Sequence, residues 1–322
     1  MALGNGNYVF FVTDDGQIWF TRRAVNGSWS PALRLQNPAL SGAAGDLAVS
    51  HLGTAEMQIL ATAAFGGGLW HSLWDKEGKA TQFGDVETQA GQCPPFLGVD
   101  AAHGSLQSIG GGLTRWQLHV VGCDVNGDLW HTLRYGNGAW SPFGNIEQQA
   151  SDIGSTRSVA CAYYEGPLSD QLHVVAVTND YRLKHTTLRV STNDSWSPFI
   201  DVEMMAGETG SFLQASCACI GPDLHLCAIT GDGNAEHAVR TPAGAWTPLG
   251  DVETQAGDVG QIEYVGCEAG AQKTLQVVVV TSAQRVLHTQ RSQDGSWTPF
   301  RDVEGQCGSI GSSAARPRRV AL

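Results

Sequence analysis

The chain has 322 residues, 42% of them hydrophobic and 16% charged, with 19 basic and 31 acidic residues and a formal net charge of −12. This composition predicts a globular protein with a sizeable core. The acidic balance argues against nucleic acid or an anionic membrane as a partner, because both require clustered lysine and arginine. The one basic cluster, at Arg316, Arg318 and Arg319, is too small to change that expectation.

Membrane and targeting signals are absent from the sequence pattern. No run of about 20 apolar residues could span a bilayer, and the start, MALGNGNYVFFV, lacks the basic start and long apolar core of a signal peptide. We therefore expect a cytoplasmic or non-classically released protein without membrane insertion. Its eight cysteines are expected to be buried free thiols, since Cys161, Cys217 and Cys267 recur at one repeat position and equivalent positions are too far apart to pair.

Six similar units follow one another along the chain. Each opens with an apolar strand rich in β-branched residues, then a Gly, Asn or Asp turn, then a second strand such as LWHTLR. The third unit, for example, begins LHVVGCDVNGDLWHTLRYGNGAW. The six units begin at Tyr8, Ile59, Leu118, Leu172, Leu224 and Leu275.

A recurring string follows the second strand of each unit and sets the repeat period. It reads WSPFGNIEQQA from Trp140 and WTPLGDVETQAG from Trp246, and it begins with Ala80 instead of tryptophan in the second unit. Its first positions are 29, 80, 140, 196, 246 and 297, which lie 50 to 60 residues apart. Self-similarity at this period is typical of repeat architectures.

The predicted fold is an all-β propeller of six four-stranded blades, with seven blades less favoured. A third strand carries the W-x-P-F-x-D-V-E string, and a fourth, such as VACA, leads by a hairpin into the next unit. The C-terminal strand should pair with the N-terminal one and close the ring within blade 1. The blades of this single domain, residues 1–322, are expected at 5–36 with 312–322, 45–88, 95–148, 155–204, 211–254 and 261–305.

One unit is longer than the rest, and its extra residues lie around Asp100 to Arg115. This segment, DAAHGSLQSIGGGLTR, is predicted to form an exposed loop between the inner strands of blade 3. No linker rich in proline, serine or charge interrupts the chain, in keeping with a single domain.

Stacking the units shows side chains that recur and could bind a ligand. Aromatic, imidazole, guanidinium and carboxylate groups are the chemistry that a sugar needs, since its C–H face stacks on aromatics and its hydroxyls need hydrogen-bond partners. The candidate sugar-binding residues are Trp19, Trp70, Trp130, His71, His131, Thr132, Arg134, Arg23, Glu87, Glu147, Arg240 and Arg291.

A purely structural interpretation of these recurring side chains stays open. Strand alternation places Trp130, Thr132 and Arg134 on one face and His131 on the other. The histidines could hydrogen-bond between blades, and arginine could pair with the repeated acids. The tryptophans that open each string, such as Trp140, are predicted to pack between blades, with Glu147 as a second wall of a sugar site.

The repeat LHVV…LWHTLR…GxWSPFGDVExQAG resembles that of bacterial propeller lectins of the Photorhabdus type. The resemblance covers essentially the whole chain and implies binding of L-fucose, galactose or O-methylated sugars at several sites between blades. Those lectins are usually seven-bladed, whereas six units are counted here, so the six-bladed tectonin-like lectins are a second, looser architectural relative.

Three functions follow from the sequence, in decreasing order of support. The first is a multivalent lectin without catalytic activity that binds glycans or glycoconjugates, as a monomer or a homo-oligomer. The second is a protein-interaction scaffold, and the third is a glycosidase or sialidase. An enzyme needs one unique pair of carboxylates, whereas the acids here repeat. No cofactor or metal is expected, because the repeated histidines lie on different blades.

Overall fold

A computed structural model describes residues 6–35, 43–52, 56–64, 67–74, 79–106, 115–166, 170–190, 194–207, 210–311 and 317–322. Within them, the chain folds into six antiparallel sheets; five are each formed by one continuous segment, and the sixth combines the two ends of the chain. The sheets follow one another around a ring, so the predicted propeller of six blades is confirmed.

Each blade runs from an inner strand next to the ring centre to a short outer strand. Blade 1 contains β1 (Gly6–Thr13), β2 (Ile18–Ala24) and β3 (Leu33–Arg34), and blade 2 contains β4 (Ala44–Leu52), β5 (Glu56–Ala63), β6 (Leu69–Trp74) and β7 (Gly84–Asp85). Blade 3 contains β8 (Phe96–Leu106), β9 (Arg115–Asp124), β10 (Leu129–Tyr135) and β11 (Gly144–Asn145). Blade 4 contains β12 (Thr156–Tyr164), β13 (Asp170–Thr178), β14 (Leu183–Val190), β15 (Ser195–Trp196) and β16 (Ile200–Asp201).

The remaining blades repeat this order. Blade 5 contains β17 (Phe212–Ile220), β18 (Asp223–Thr230), β19 (Ala235–Arg240) and β20 (Gly250–Asp251). Blade 6 contains β21 (Ile262–Gly270), β22 (Thr274–Thr281), β23 (Val286–Arg291) and β24 (Arg301–Asp302), and β25 (Pro317–Ala321) follows it. One-turn helices follow four outer strands: α1 (Glu87–Ala90), α2 (Val202–Ala206), α3 (Glu253–Ala256) and α4 (Glu304–Cys307). A 3₁₀ turn, Ala271–Lys273, joins β21 to β22.

The two ends of the chain close the ring inside blade 1. Strand β25 pairs antiparallel with β1, and Val320 stands opposite Phe11. The C-terminal strand thus supplies the inner strand that blade 1 would otherwise lack, and it completes a four-stranded sheet in the order β25-β1-β2-β3. This closure was predicted from the sequence and is confirmed.

Side chains of the inner strands connect the successive blades from blade 2 to blade 6 by accepting hydrogen bonds from backbone N–H groups. The Asp46 carboxylate of β4 accepts a hydrogen bond from the backbone N–H of Val99 in β8, at 3.1 Å. Asp100 accepts from the N–H of Cys161 in β12 at 2.7 Å. The inner strands surround a central cavity of about 260 Å³. These bonds hold the ring together at its centre, where the strands offer no ladder partner between blades.

The predicted exposed loop from Asp100 to Arg115 is wrong in its first part. Strand β8 continues to Leu106, Ala101 and Ala102 are buried, and Asp100 bonds to the next blade. The prediction failed because the extra length extends the β8–β9 hairpin itself. Residues 107–114 lie outside the described residues.

Most of the hydrophobic core lies between adjacent blades. The cluster between blades 1 and 2, for example, joins Phe10 and Phe20 of blade 1 with Ile59 and Trp74 of blade 2. Strands β1 and β5, which carry Phe10 and Ile59, are buried on both faces along most of their length, which explains their nearly continuous apolar runs. All eight cysteines are free, and six of them are buried.

Candidate functional site

A tryptophan of one blade contacts a histidine of the preceding blade at five of the six blade junctions. The two rings meet edge to face, with centroids 5.4 to 5.5 Å apart and planes at 77° to 82°. The pairs are His71–Trp140, His131–Trp196, His185–Trp246, His237–Trp297 and His288–Trp29. The predicted packing of these tryptophans between blades is therefore what the structure shows.

An arginine stands beside the tryptophan at four of these junctions. Arg134 lies opposite Trp140 across the blade-3 ladder, so both side chains project from one face of the sheet. That face looks toward blade 2, because Trp140 meets His71 there. Burial, together with the nearby positive charge of Arg134, lowers the pKa of His71 to about 3.

The same three groups recur, and we refer to these sites as the Arg–Trp–His crevices. The arginine and tryptophan come from one blade and the histidine from the blade before it. The four sets are His71 with Arg134 and Trp140, His185 with Arg240 and Trp246, His237 with Arg291 and Trp297, and His288 with Arg23 and Trp29. In each set the charge of the arginine contributes to lowering the pKa of the histidine.

The junction of blades 3 and 4 lacks the arginine. Leu188, which is only 2% exposed, stands opposite Trp196, and the next residue, Arg189, is exposed. The pKa of His131 is accordingly lowered to about 4 by burial alone. The one-residue insertion in this unit turns Arg189 away from the position that arginine occupies in the other blades.

The junction of blades 1 and 2 is filled by aromatic side chains instead. Phe20 replaces the histidine, Trp74 the arginine and Ala80 the tryptophan. Trp74 is buried and packs edge-on against Phe20, with ring centroids 4.5 Å apart. This junction is therefore an aromatic part of the core that lacks the arginine, tryptophan and histidine of the crevices.

A second side chain holds each histidine of the crevices in place. Nε2 of His71 lies 2.7 Å from Oε1 of Gln58, and Nε2 of His288 lies 2.9 Å from Oε1 of Gln276. Since an amide oxygen only accepts hydrogen bonds, Nε2 of these histidines carries the proton. In blades 3, 4 and 5 a second histidine replaces the glutamine, at 3.1 Å, as in the pair of His173 and His185.

The crevice between blades 4 and 5 contains hydrogen-bond donors without a partner. Trp246 is 8% exposed, and neither its Nε1 nor the Nε of Arg240 has an acceptor in the described structure. Within the described residues, no carboxylate lies within 4.0 Å of Arg240. Buried donors without acceptors are costly, so this crevice is suited to a ligand that brings oxygen acceptors.

The predicted aromatic column of Trp19, Trp70 and Trp130 lies elsewhere on the blades. Trp130 is half-buried between blades 2 and 3, and its Nε1 donates to the Asp124 carboxylate at 2.9 Å. It lies four residues from Arg134 on β10, which is roughly 13 Å along a strand. Thr132 is fully buried and donates to the backbone oxygen of Ser141.

The predicted glutamates accept hydrogen bonds from groups of the protein itself. Both carboxylate oxygens of Glu147 accept backbone N–H groups, from Leu129 at 3.2 Å and Ile153 at 3.3 Å. Glu87 accepts the thiol of Cys93 at 3.8 Å. Burial raises the pKa of both glutamates. The structure thus brings His71 and Arg134 together, but it places Trp130 and Glu147 away from them.

The tryptophans that open each string were not among the predicted sugar-binding residues, although they line the crevices. A signal in the sequence could have found them. The one unit that lacks this tryptophan, at Ala80, follows the one unit that lacks the histidine, at Phe20. A joint loss in successive units indicates contact between the tryptophan of one unit and the histidine of the unit before.

These observations define a six-bladed β-propeller with repeated crevices between its blades. Its structure is similar to that of the fucose-specific lectin from Aleuria aurantia, with a TM-score of 0.62 and 11% identity over 97% of this chain and 99% of that one. It is also similar to AofleA from Arthrobotrys oligospora, with a TM-score of 0.62 and 12% identity over 100% of this chain and 90% of that one. The BP39L lectin from Burkholderia pseudomallei gives a TM-score of 0.64 and 13% identity over 94% of this chain and 82% of that one.

No protein-family model and no curated protein sequence matches this chain. At 11% to 13% identity, the structural similarity shows the propeller fold. Among the described residues, no helix has the length and apolar character to cross a membrane, and no three metal-ligating side chains form a group.

Proposed function

We propose that the protein is a multivalent lectin that binds fucose-type monosaccharides in its four Arg–Trp–His crevices. The observation that carries this proposal is the crevice between blades 4 and 5, where Trp246 Nε1 and Arg240 Nε are buried without acceptors. Support also comes from the neighbours in structure, since the Aleuria aurantia lectin is fucose-specific and one of its variants forms a complex with α-methyl-L-fucoside.

The crevice supplies the two kinds of contact that a neutral sugar requires. An indole ring offers an apolar face to the C–H patch of a pyranose. Guanidinium and indole N–H groups donate to hydroxyl oxygens, and the neutral imidazole beneath adds no competing charge. A single shallow site of this kind is weak, and repetition around the ring raises the avidity by a factor of about 100 or more when the geometry permits.

Catalysis is not part of this proposal. Glycoside hydrolysis requires two carboxylates about 5 to 10 Å apart around one bond, whereas each crevice is built from arginine, tryptophan and histidine. The LHVV…WSPFGDVExQAG repeat adds the finer proposal that the chain is a single-domain relative of the Photorhabdus-type lectins, with L-fucose as its ligand.

Titration calorimetry with methyl α-L-fucoside tests the proposal. We expect four sites per chain, and Arg240→Ala should reduce the number to three. Arg189→Ala is the matched control, because this arginine is exposed outside the crevices and its loss should leave four sites. Absence of fucoside binding by the folded protein would contradict the proposal, as would an equal effect of the two substitutions.

A protein-interaction scaffold is the second candidate function. Helix α2 exposes Met204 and Met205, at 78% and 52%, where helices α1 and α3 carry threonine and glutamine and α4 carries glycine and glutamine. Two adjacent exposed methionines on one blade form an asymmetric apolar patch that could contact a partner. Met204→Gln with Met205→Gln should abolish such binding and leave the number of fucoside sites unchanged. Partner capture that free fucose competes away would argue for the lectin instead.

A further inference from the structure

The crevice between blades 6 and 1 differs from the other three Arg–Trp–His crevices by a second guanidinium. Arg301 in β24 stands opposite His288 in the ladder of blade 6. At the equivalent place the other three crevices have Gly84, Ile200 and Gly250. A cationic side chain at this position is therefore found in one crevice of the four.

Two arginines reach this crevice from opposite walls. Arg23 belongs to blade 1, beside Trp29, and Arg301 belongs to blade 6. Burial lowers the pKa of Arg23, and the charge of Arg301 lowers it further. Burial and the charges of both arginines together lower the pKa of His288 to about 3. The two positive charges are thus close enough to act on each other and on the same imidazole.

No carboxylate compensates this pair of charges. Within the described part of the chain, neither Arg23 nor Arg301 has an acidic group within 4.0 Å. Nη1 of Arg23 donates instead to the uncharged Oε1 of Gln276, at 3.5 Å. Asp302, the neighbour of Arg301, accepts the backbone N–H of Gly305 at 3.1 Å.

Two of the other crevices have an acid whose charge acts on the arginine. Glu56 acts on Arg134 and Asp294 acts on Arg291, and both raise the pKa of the arginine concerned against the effect of burial. The crevice between blades 6 and 1 therefore stands out as locally positive, although the whole chain has a net charge of −12.

We propose that the crevice between blades 6 and 1 binds a sugar that carries an anionic group, either a carboxylate or a sulfate ester. Arg23 and Arg301 hold the anion from two sides, and Trp29 contacts the pyranose ring. Guanidinium groups suit both anions, because their N–H fork matches pairs of oxygen atoms. This inference rests on the proposed function, in which the crevices bind sugars.

The test isolates this crevice and compares matched neutral and acidic ligands. Arg134→Ala, Arg240→Ala and Arg291→Ala together remove the arginines of the other three crevices. Calorimetry then compares methyl α-D-galactoside with methyl α-D-galacturonoside, and methyl α-L-fucoside with its sulfate ester. We expect at least one acidic ligand to bind about tenfold more tightly than its neutral counterpart, with a preference that falls as salt is added. The two pairs show whether a carboxylate or a sulfate is preferred.

Arg301→Gly is the decisive variant, because it installs the residue found at Gly84 and Gly250. The preference for the acidic sugar should fall to about one, and affinity for the neutral sugar should stay within about twofold. The proposal would be overturned if Arg301→Gly left the preference for the acidic sugar unchanged. It would also be overturned if the triple variant with Arg301 intact bound the neutral and the acidic sugar of each pair equally.

The outcomes separate this proposal from the one on which it rests. If the folded wild-type chain binds no sugar at all, the lectin proposal fails. If it binds neutral sugars and shows no acidic preference at this crevice, only the anionic-sugar proposal fails. Should the triple variant lose its cooperative thermal transition, Arg301→Gly in the otherwise unchanged chain gives the same comparison, with one site of four expected to lose its acidic preference.

Discussion

Trp246 of blade 5 stands edge-on to His185 of blade 4, with ring centroids 5.5 Å apart and the ring planes at 80°. The contact joins residues 61 positions apart in the sequence, and it recurs with other residues at four further junctions. In each crevice this contact holds the tryptophan against the preceding blade. The arginine opposite the tryptophan is thereby placed between the same two blades.

Trp246→Phe is expected to weaken fucoside binding at its own crevice by about two- to tenfold, the value of one hydrogen bond. Phenylalanine keeps an aromatic face against His185 but lacks the indole N–H that has no acceptor in the protein. Trp74→Phe is the matched control. Trp74 also has a buried N–H without an acceptor, but it lies in the aromatic junction of blades 1 and 2, which has no Arg–Trp–His crevice. Calorimetry should show no change for this control. Equal losses in both variants would contradict a ligand contact by Trp246.

His173→Gln is expected to reduce the acid sensitivity of the fold. Burial, together with the charge of Arg240, lowers the pKa of His173 to about 3, so this histidine is neutral in the folded chain and protonated in the unfolded chain at pH 4 to 6. Above pH 6.5 this histidine is neutral in both states and does not affect stability. As the pH falls from 6.5 toward 3, the unfolded chain gains a proton that the folded chain does not, and the free energy of unfolding falls. Removal of this histidine should lessen the fall in unfolding free energy by about 1.4 kcal/mol per pH unit in that window.

Urea titrations at several pH values between 4 and 7 measure this change for the His173 variant. Glutamine should fit the site, since Gln58 and Gln276 occupy the same position in blades 2 and 6 and bond to the partner histidine. An unchanged slope of stability against pH would show that His173 gains no proton on unfolding.

Glu147→Gln is expected to lower stability by about 1 to 3 kcal/mol and to leave sugar binding unchanged. The carboxylate accepts two backbone N–H groups, and the amide offers only one acceptor oxygen, so one donor would be left without a partner. Chemical denaturation gives the loss of stability, and calorimetry counts the sites. Loss of a fucoside site in this variant would contradict the prediction and would show that Glu147 contacts the sugar.

Trp130→Ala tests the aromatic column that the sequence first suggested as a sugar platform. The substitution removes the hydrogen bond to Asp124 and the packing between blades 2 and 3. We expect a loss of about 2 to 4 kcal/mol in stability, with four fucoside sites retained. Trp130→Phe should recover most of the stability. Loss of one sugar site in a stable variant would show that a ligand stacks on Trp130.

The closing blade and the crevices differ in how far the sequence alone could predict them. The pairing of the terminal strand with β1 followed from counting strands, because the last unit has an inner strand to spare and the first lacks one. The crevice of His71, Arg134 and Trp140 could be predicted only in part, since those residues come from two units. The strand at Asp100 was predicted as a loop because the sequence DAAHGSL has neither the β-branched residues nor the apolar alternation that predict a strand.

The sequence by itself determined the number of blades, their strand order and the closure of the ring, because each follows from a repeat that recurs every 50 to 60 residues. Only the tertiary structure decided which of the repeated side chains meet. Successive residues of a strand point to opposite faces, so Trp130 and His131 contact different blades. Strand register likewise decides that Leu188, and not Arg189, stands opposite Trp196. Both effects depend on the packing of one blade against the next, which no single unit of the sequence contains.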